Sequence, residues 1–236
     1  MNPIVPTQRT RIKICGLTRE QDVDAAVAAG ADAIGLVMYP KSPRHVSVAR
    51  AAELALRLPP FVTPVLLFVN ATPGEVSEAL DRVPGAILQF HGDETAAECH
   101  EAARDGRILY IRAARVPLDA DAVLPDLVKY AADFAQAAGL LLDAHVEGYG
   151  GGGKTFNWSL LPPSVDAHLV LSGGLTPANV ADGIAALRQR GRSLAVDVSS
   201  GVEASKGIKD AGKIAAFIAA VRAEDARHAG DRSLHS

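Results

Sequence analysis

Cysteine is scarce in this sequence, which contains only Cys15 and Cys99. Two cysteines cannot build the disulfide framework of a small secreted protein, and their scarcity is typical of a reducing compartment. The first residues lack the apolar stretch of a signal peptide, and no apolar run approaches the roughly 18 residues of a membrane span. The sequence therefore predicts a soluble, cytoplasmic protein without a membrane partner.

An excess of charge of one sign is also missing, because 24 Lys and Arg stand against 27 Asp and Glu. This balance gives no global attraction to nucleic acid, although a small basic pocket remains compatible with it. The seven histidines are scattered along the chain. Their spacing does not match the spacing of metal ligands, and we expect no metal site.

Apolar residues are plentiful, at 48% of 236 residues, which is enough for one large core. Short apolar runs recur along the chain, and each is followed by an Ala-rich stretch with helical spacing. The runs are almost continuously hydrophobic, as expected of strands that are covered on both faces. In chain order they are RIKIC, AIGLVMY, VLLFVN, AILQFHG, ILYIRA, GLLLDA, HLVLSGG and LAVDVSS.

Eight strand–helix units within residues 11–222 predict a single-domain α/β protein, a (β/α)8 TIM barrel, because their mean length of about 26 residues is close to that of this fold. A doubly wound open sheet is the competing architecture, and periodicity alone does not exclude it. Residues 1–10 and 223–236 are expected to be flexible termini.

Some helix boundaries are also readable in the sequence. Thr18 followed by Gln21 resembles a capping box, and Gly30 is a candidate stop for the same helix. Thr72 and Pro73 are typical of an N-cap and a first helical residue.

Two strand ends carry candidates for proton transfer, since active sites of parallel α/β folds form at the carboxyl ends of the strands. Cys15 ends the first run and Asp143 lies near the end of the sixth. A thiolate can act as a base, and a carboxylic acid can act as the complementary acid. The structural alternatives are a small buried hydrophobe for Cys15 and a helix cap for Asp143. Cys99 lies within a helical pattern and is expected to have a packing role.

Small residues follow the last two runs, where backbone N–H groups beside a new helix start can bind an anion. We therefore predict a phosphate site in these two loops, with tight turns as the alternative. The residues predicted to form it are Gly173, Gly174, Ser199, Ser200 and Gly201.

Residues 148–155, GYGGGGKT, match the expression for a nucleotide-binding P-loop. A P-loop connects a strand directly to a long helix, whereas a longer segment follows Asp143 here and two prolines follow soon after. We interpret residues 144–157 instead as a flexible loop over the active site, in which Lys154 adds positive charge.

Six segments, in order along the chain, resemble the monofunctional phosphoribosylanthranilate isomerases. They are KICGLT, YPKSPRHVS, LQFHGDE, GYGGGGKTFNW, LSGGLTPANV and VDVSSGVE, and they span nearly the whole predicted barrel. The resemblance implies an Amadori rearrangement of N-(5′-phosphoribosyl)anthranilate to 1-(o-carboxyphenylamino)-1-deoxyribulose 5-phosphate in tryptophan biosynthesis. It also implies that the reaction needs neither a metal nor an organic cofactor.

The resemblance further implies roles for individual residues. Cys15 becomes the general base and Asp143 the general acid. Arg44 corresponds to the arginine that holds the anthranilate carboxylate, and its planar fork suits a bidentate contact. His91 and Asp197 match family positions in the substrate pocket. The oligomeric state stays open between a monomer and a homodimer.

Three rival functions remain. A histidine-pathway phosphosugar isomerase with a similar barrel also performs an Amadori rearrangement, but that family resembles this chain less because it uses paired aspartates where Cys15 stands. A P-loop nucleotide-binding protein is a rival from another class, and it rests on the glycine-rich segment and on Asp197, which resembles a Walker B aspartate. A non-catalytic phosphate-binding barrel is the third.

Overall fold

The structure is a computed structural model that describes residues 9–117, 126–145, 157–158 and 161–233. Eight parallel strands follow one another in sequence order and close into a barrel through the pairing of the first with the last. The predicted (β/α)8 barrel is thereby confirmed, and an open sheet is excluded. The barrel strands are β1 (Arg11–Cys15), β2 (Ala33–Val37), β3 (Thr63–Phe68), β4 (Ile87–Phe90), β5 (Tyr110–Pro117), β6 (Gly139–His145), β7 (His168–Leu171) and β8 (Ser193–Val198).

Seven α-helices occur in the described ranges, and their buried faces join the strands in one large core. Val23, Leu54 and Phe217 from helices belong to the same apolar cluster as Ile14 and Ile34 from strands. The helices are α1 (Glu20–Ala29), α2 (Val48–Ala55), α3 (Pro73–Arg82), α4 (Ala96–Ala102), α5 (Leu127–Asp133), α6 (Val180–Leu187) and α7 (Ala211–Ser233).

The inside of the barrel differs from the layer between strands and helices. Alternate residues of a strand point to opposite faces, so Ile12 and Ile14 of β1 pack towards the helices. A small separate cluster of Ala113, Leu141 and Val170 fills part of the interior. Polar groups enter the barrel towards the carboxyl ends of the strands.

The predicted helix boundaries have mixed outcomes. Thr72 caps α3 in a capping box with Glu75, and Gly30 ends α1 with a φ of 94°, so both predictions are confirmed. The capping box at Thr18 was wrong. Helix α1 begins one residue later, at Glu20, and the Thr18 hydroxyl instead donates to the carbonyl of Gly207, 2.8 Å away.

The carboxyl-terminal region also differs from expectation. Residues 223–233, expected to be part of a flexible terminus, continue helix α7 to Ser233. Glu224 is buried, and Asp225 accepts hydrogen bonds from the backbone N–H and the hydroxyl of Thr10, at 2.9 and 2.7 Å. These contacts hold the helix against the start of β1, and nothing in the polar composition of the segment indicates them.

The opposite, amino-terminal end of the barrel carries an unusual side chain. Phe61 is 100% exposed and has a φ of 72°, in the left-handed region that is uncommon outside glycine. It stands beside a depression of about 770 Å³ that includes Ile12, Val65 and Ile87. Within the described ranges, no helix combines the length and the apolar composition needed to cross a membrane.

Candidate active site

A cavity of about 530 Å³ opens at the carboxyl ends of the strands. It brings together six of the residues that the sequence analysis selected, although they come from distant parts of the chain. Those six are Cys15, Arg44, His91, Asp143, Asp197 and Ser199. The same cavity is lined by residues that were not selected, namely Val37, Tyr39, Ser42, Leu67, Val69, Gln89 and Ser172.

Cys15 is the last residue of β1 and is buried at the base of this cavity. Gly16 follows with a φ of 75°, which turns the chain away from the thiol. Burial raises the pKa of the Cys15 thiol, because the charged thiolate is poorly solvated there, and Lys13 opposes part of that shift. The thiol therefore has the position of a base, but it depends on nearby positive charge to become one.

Lys13 lies two residues before Cys15, on the same side of β1, and was missed by the sequence analysis. Its Nζ donates to Oδ1 of Asp197, 2.9 Å away, and both side chains are buried. Burial lowers the pKa of Lys13, but the charges of Asp197 and Cys15 and their hydrogen bonds together outweigh it and leave the pKa above its ordinary value. A buried ion pair thus stands directly beneath the cavity.

Asp143 lies in β6 and is bound to His91, whose Nε2 is 2.9 Å from Oδ2 of the carboxylate. On the other side of the ring, Nε2 of Gln89 lies 3.0 Å from Nδ1 of His91. An amide nitrogen can only donate, so with this amide orientation the ring hydrogen is assigned to Nε2, which faces Asp143. The chain Gln89–His91–Asp143 therefore fixes the direction of the Asp143 carboxyl group.

Arg44 is held by Glu203, because its Nε and Nη2 donate to the two carboxylate oxygens at 2.7 and 2.8 Å. Glu203 begins β9 (Glu203–Ser205), which pairs with β10 (Ile208–Lys209) in a small hairpin beside the barrel. Lys209 donates to the same carboxylate at 2.8 Å. Burial raises the pKa of Glu203, but the hydrogen bonds and positive charges of Arg44 and Lys209 together outweigh it and lower the pKa. One edge of the Arg44 fork is therefore occupied, which the sequence did not indicate.

The two loops predicted to bind phosphate lie next to each other. Gly173 and Gly174 have φ values of 76° and 67° after β7. Ser199 precedes a short 3-10 helix, Ser200–Val202, after β8. A side chain on Gly201 would overlap the backbone of Leu175, so the two loops are in backbone contact. Ser199 faces the cavity, whereas the other four lie in the loops beside it.

Several predictions concern other parts of the chain. Lys154, most of the segment 144–157 and the whole P-loop match lie outside the described residues. Cys99 is buried in α4, in keeping with its predicted packing role, and burial raises the pKa of its thiol to about 12. No cluster of three or more His, Cys, Asp or Glu that would suit a metal ion occurs in the part of the chain that the structure describes.

The sequence is similar to proteins of one family along nearly its whole length. The family model described as N-(5′-phosphoribosyl)anthranilate isomerase matches residues 12–220. The isomerase of that name from Leptothrix cholodnii is 59% identical over 224 residues, which cover 95% of this chain and 96% of that protein. The one from Dechloromonas aromatica is 61% identical over 217 residues, with coverage of 92% and 98%.

Solved structures give the same result. The phosphoribosylanthranilate isomerase from Thermotoga maritima has a TM-score of 0.78 and 40% identity, covering 91% of this chain and 99% of its own. A structure of such an isomerase in complex with reduced 1-(o-carboxyphenylamino)-1-deoxyribulose 5-phosphate has a TM-score of 0.73 and 37% identity, with coverage of 91% and 99%. A third structure contains monomers generated from the dimeric Thermotoga maritima protein, with a TM-score of 0.74, 35% identity and coverage of 90% and 98%.

Proposed function

The chain belongs to the N-(5′-phosphoribosyl)anthranilate isomerase family, and we propose that Cys15 and Asp143 carry the two proton transfers of its reaction. It is an isomerase of tryptophan biosynthesis that rearranges N-(5′-phosphoribosyl)anthranilate into 1-(o-carboxyphenylamino)-1-deoxyribulose 5-phosphate. The observation that carries the proposal is the single cavity in which both side chains meet. The rival P-loop function finds no support in these relatives.

Asp143 is the acid of the first step. The hydrogen bond from His91 occupies Oδ2, which leaves Oδ1 to carry the proton that the furanose ring oxygen receives. The bond between C1′ and the ring oxygen then breaks, and the anthranilate nitrogen supplies the electron pair that makes a protonated Schiff base. A positioned acid of this kind typically contributes about 10²–10⁴-fold to the rate.

Cys15 is the base of the second step. The thiolate removes the proton from C2′, and the electron pair of that C–H bond forms the C1′–C2′ double bond of an enolamine. The Schiff-base nitrogen becomes neutral in the same movement. Tautomerisation of the enolamine adds a proton at C1′ while the C2′ hydroxyl loses its proton, which gives the ketone of the product. No electrons are exchanged with any external group, so the balance needs no cofactor.

Arg44 is proposed to hold the anthranilate carboxylate. Glu203 occupies the Nε edge of its fork, so a substrate carboxylate would meet the remaining N–H groups, with the guanidinium already fixed in its plane. Asp197, His91 and Ser199 complete the polar wall that faces the sugar.

Arg44→Ala should raise KM for phosphoribosylanthranilate by about 10–100-fold with a smaller change in kcat, since charge-assisted hydrogen bonds contribute about 1.5–3 kcal/mol. Steady-state kinetics at saturating and limiting substrate measure both quantities. Arg44→Lys is the matched control, because it keeps the charge and loses the planar fork. Lys209 remains as a partner for Glu203, so the fold keeps a neutralised carboxylate. A KM equal to that of the parent in Arg44→Ala would exclude the carboxylate contact.

The phosphate group is proposed to bind between the loops after β7 and β8. Two consecutive glycines with positive φ, beside Ser199 and the start of a 3-10 helix, turn backbone N–H groups towards one space. This is the position at which phosphates bind in many barrels of this type. The site residues are Gly173, Gly174, Ser199, Ser200 and Gly201.

We propose that the chain forms a homodimer through its amino-terminal face. A fully exposed Phe61 is held at a positive φ next to a mostly apolar depression, and we infer that a two-fold interface places the Phe61 of each copy in the depression of the other. Sedimentation velocity should show a dimer for the parent and a monomer for Phe61→Ser. Val128→Ser, at an exposed position on α5, is the matched control. Sedimentation of the parent protein as a monomer at micromolar concentration would contradict the proposed homodimer.

A further inference from the structure

A buried cysteine is a poor base unless a positive charge lies beside it. Cys15 is 5% exposed, and burial raises the pKa of its thiol. Only the thiolate can accept the C2′ proton. The second step of the reaction therefore requires a group that stabilises negative charge on Sγ within the barrel.

The geometry beneath Cys15 supplies such a group. Lys13 and Cys15 alternate with the outward-facing Ile12 and Ile14, so both point into the barrel. A Cβ on Gly35 would lie 2.6 Å from Sγ of Cys15 and 3.0 Å from Nζ of Lys13. Sulfur and ammonium nitrogen thus converge on the space that the missing side chain of Gly35 leaves open. Any other residue at position 35 would displace one of them.

Asp197 fixes the other side of the ammonium group. Lys13 and Asp197 are register partners in β1 and β8, and Nζ lies 2.9 Å from Oδ1. The carboxylate keeps Lys13 protonated in an environment that would otherwise discharge it. A lysine held in this way presents a permanent positive charge to the sulfur.

We propose that Lys13 is a positioning residue that stabilises the thiolate form of Cys15 relative to the thiol, and that Asp197 anchors Lys13 for this purpose. The inference rests on the proposed role of Cys15 as the base. It assigns to the buried ion pair a part in the reaction, beyond a contribution to stability.

The other charged groups around Cys15 are committed elsewhere. Nζ of Lys209 is bound to the carbonyl and hydroxyl of Ser199 and to Glu203, and it acts on the sulfur only through space. The Arg44 fork is bound to Glu203. Asp197 itself opposes thiolate formation, because its charge has the same sign. His91 and Asp143 face the same cavity from β4 and β6 and are bound to each other.

The dependence of Cys15 on Lys13, and of Lys13 on Asp197, makes a sharp test. In a Cys99→Ala background, so that one thiol remains, Cys15 is titrated by the ultraviolet absorbance of its thiolate and by its rate of alkylation with iodoacetamide. Lys13→Met should move both midpoints to higher pH and slow alkylation at neutral pH about tenfold or more, since one pKa unit is a factor of ten. Asp197→Asn should also move the midpoints to higher pH, because the amide no longer keeps Lys13 protonated beside the sulfur. If the pair only stabilised the fold, loss of the negative charge of Asp197 would lower the midpoints or leave them unchanged.

Removing one partner of a buried ion pair is costly, and Lys13→Met leaves Asp197 charged and alone. If Lys13→Met does not fold, the titration of Cys15 in Asp197→Asn tests the proposal, because asparagine keeps the shape of the aspartate side chain. An unchanged Cys15 titration in folded Lys13→Met, or a Cys15 midpoint in Asp197→Asn that is unchanged or moves to lower pH, would overturn the proposal. The thiol titration is independent of turnover, so a failure of Cys15 as the base would appear separately, as full activity in Cys15→Ser.

Discussion

Cys15→Ser should bind a product analogue with nearly unchanged affinity while its kcat falls by two to four orders of magnitude, on the order of 10²–10⁴-fold. A serine hydroxyl is nearly isosteric with the thiol but is not ionised near neutral pH, so the proton on C2′ has no acceptor. The measurement is the loss of anthranilate fluorescence when phosphoribosylanthranilate is generated in situ.

The wild-type kcat/KM should also rise with pH through the pKa of Cys15, which burial has raised.

Two controls accompany this result. Cys99→Ser removes the other thiol, which lies in α4 and does not line the cavity, and it should leave turnover close to that of the parent. Calorimetry measures the affinity of Cys15→Ser for the reduced product analogue. Unchanged affinity shows that the variant is folded and that the loss of turnover comes from the missing base. Cys15→Ser with near-normal turnover would remove Cys15 from the mechanism and would require another group in the cavity to accept the proton.

Asp143→Asn should lower kcat by a similar factor, on the order of 10²–10⁴, because an amide has no proton to give to the ring oxygen. In Asp143→Asn the reaction then stops before the ring opens, whereas in Cys15→Ser it stops after the ring has opened. The two variants therefore differ in what accumulates. A rapid chemical quench with borohydride should trap the open Schiff base in Cys15→Ser and should find only the closed ring in Asp143→Asn.

His91 offers the matched comparison for Asp143. His91→Asn keeps a possible hydrogen bond to the carboxyl group but loses the ring that Gln89 orients, so we expect an intermediate loss of kcat. Turnover in Asp143→Asn equal to that of the parent would mean that ring opening needs no acid in this enzyme. In that case the furanose would open by its own equilibrium in water.

The barrel and much of the site could be predicted because strand and helix periodicities are local properties of the sequence. All eight apolar runs became barrel strands, and the carboxyl end of a parallel strand is a known place for chemistry. Cys15 and Asp143 were therefore candidates from position, with packing and capping as the alternatives. The resemblance to a family gave them their proposed roles, as it did for Arg44, His91 and Asp197.

Contacts between distant residues were the part that could not be predicted. The sequence places Glu203 159 residues from Arg44 and Lys13 184 residues from Asp197, and no local pattern relates them. One signal was available for Lys13, namely a lysine inside an otherwise buried strand, two residues before a candidate base. Strand alternation places such a residue on the same face as that base, and a buried lysine almost always has a partner.

The contact between Gly173 and the end of β6 has a consequence for the choice of substrate. A side chain on Gly173 would overlap the backbone of Ala144, the residue directly after Asp143. The loop proposed to hold the phosphate and the residue proposed to protonate the ring therefore rest on the same stretch of main chain. The distance between the phosphate loop and the acid is therefore fixed by the main chain, and we expect it to suit a ribose phosphate. A sugar one carbon longer should be rejected in kcat as well as in KM.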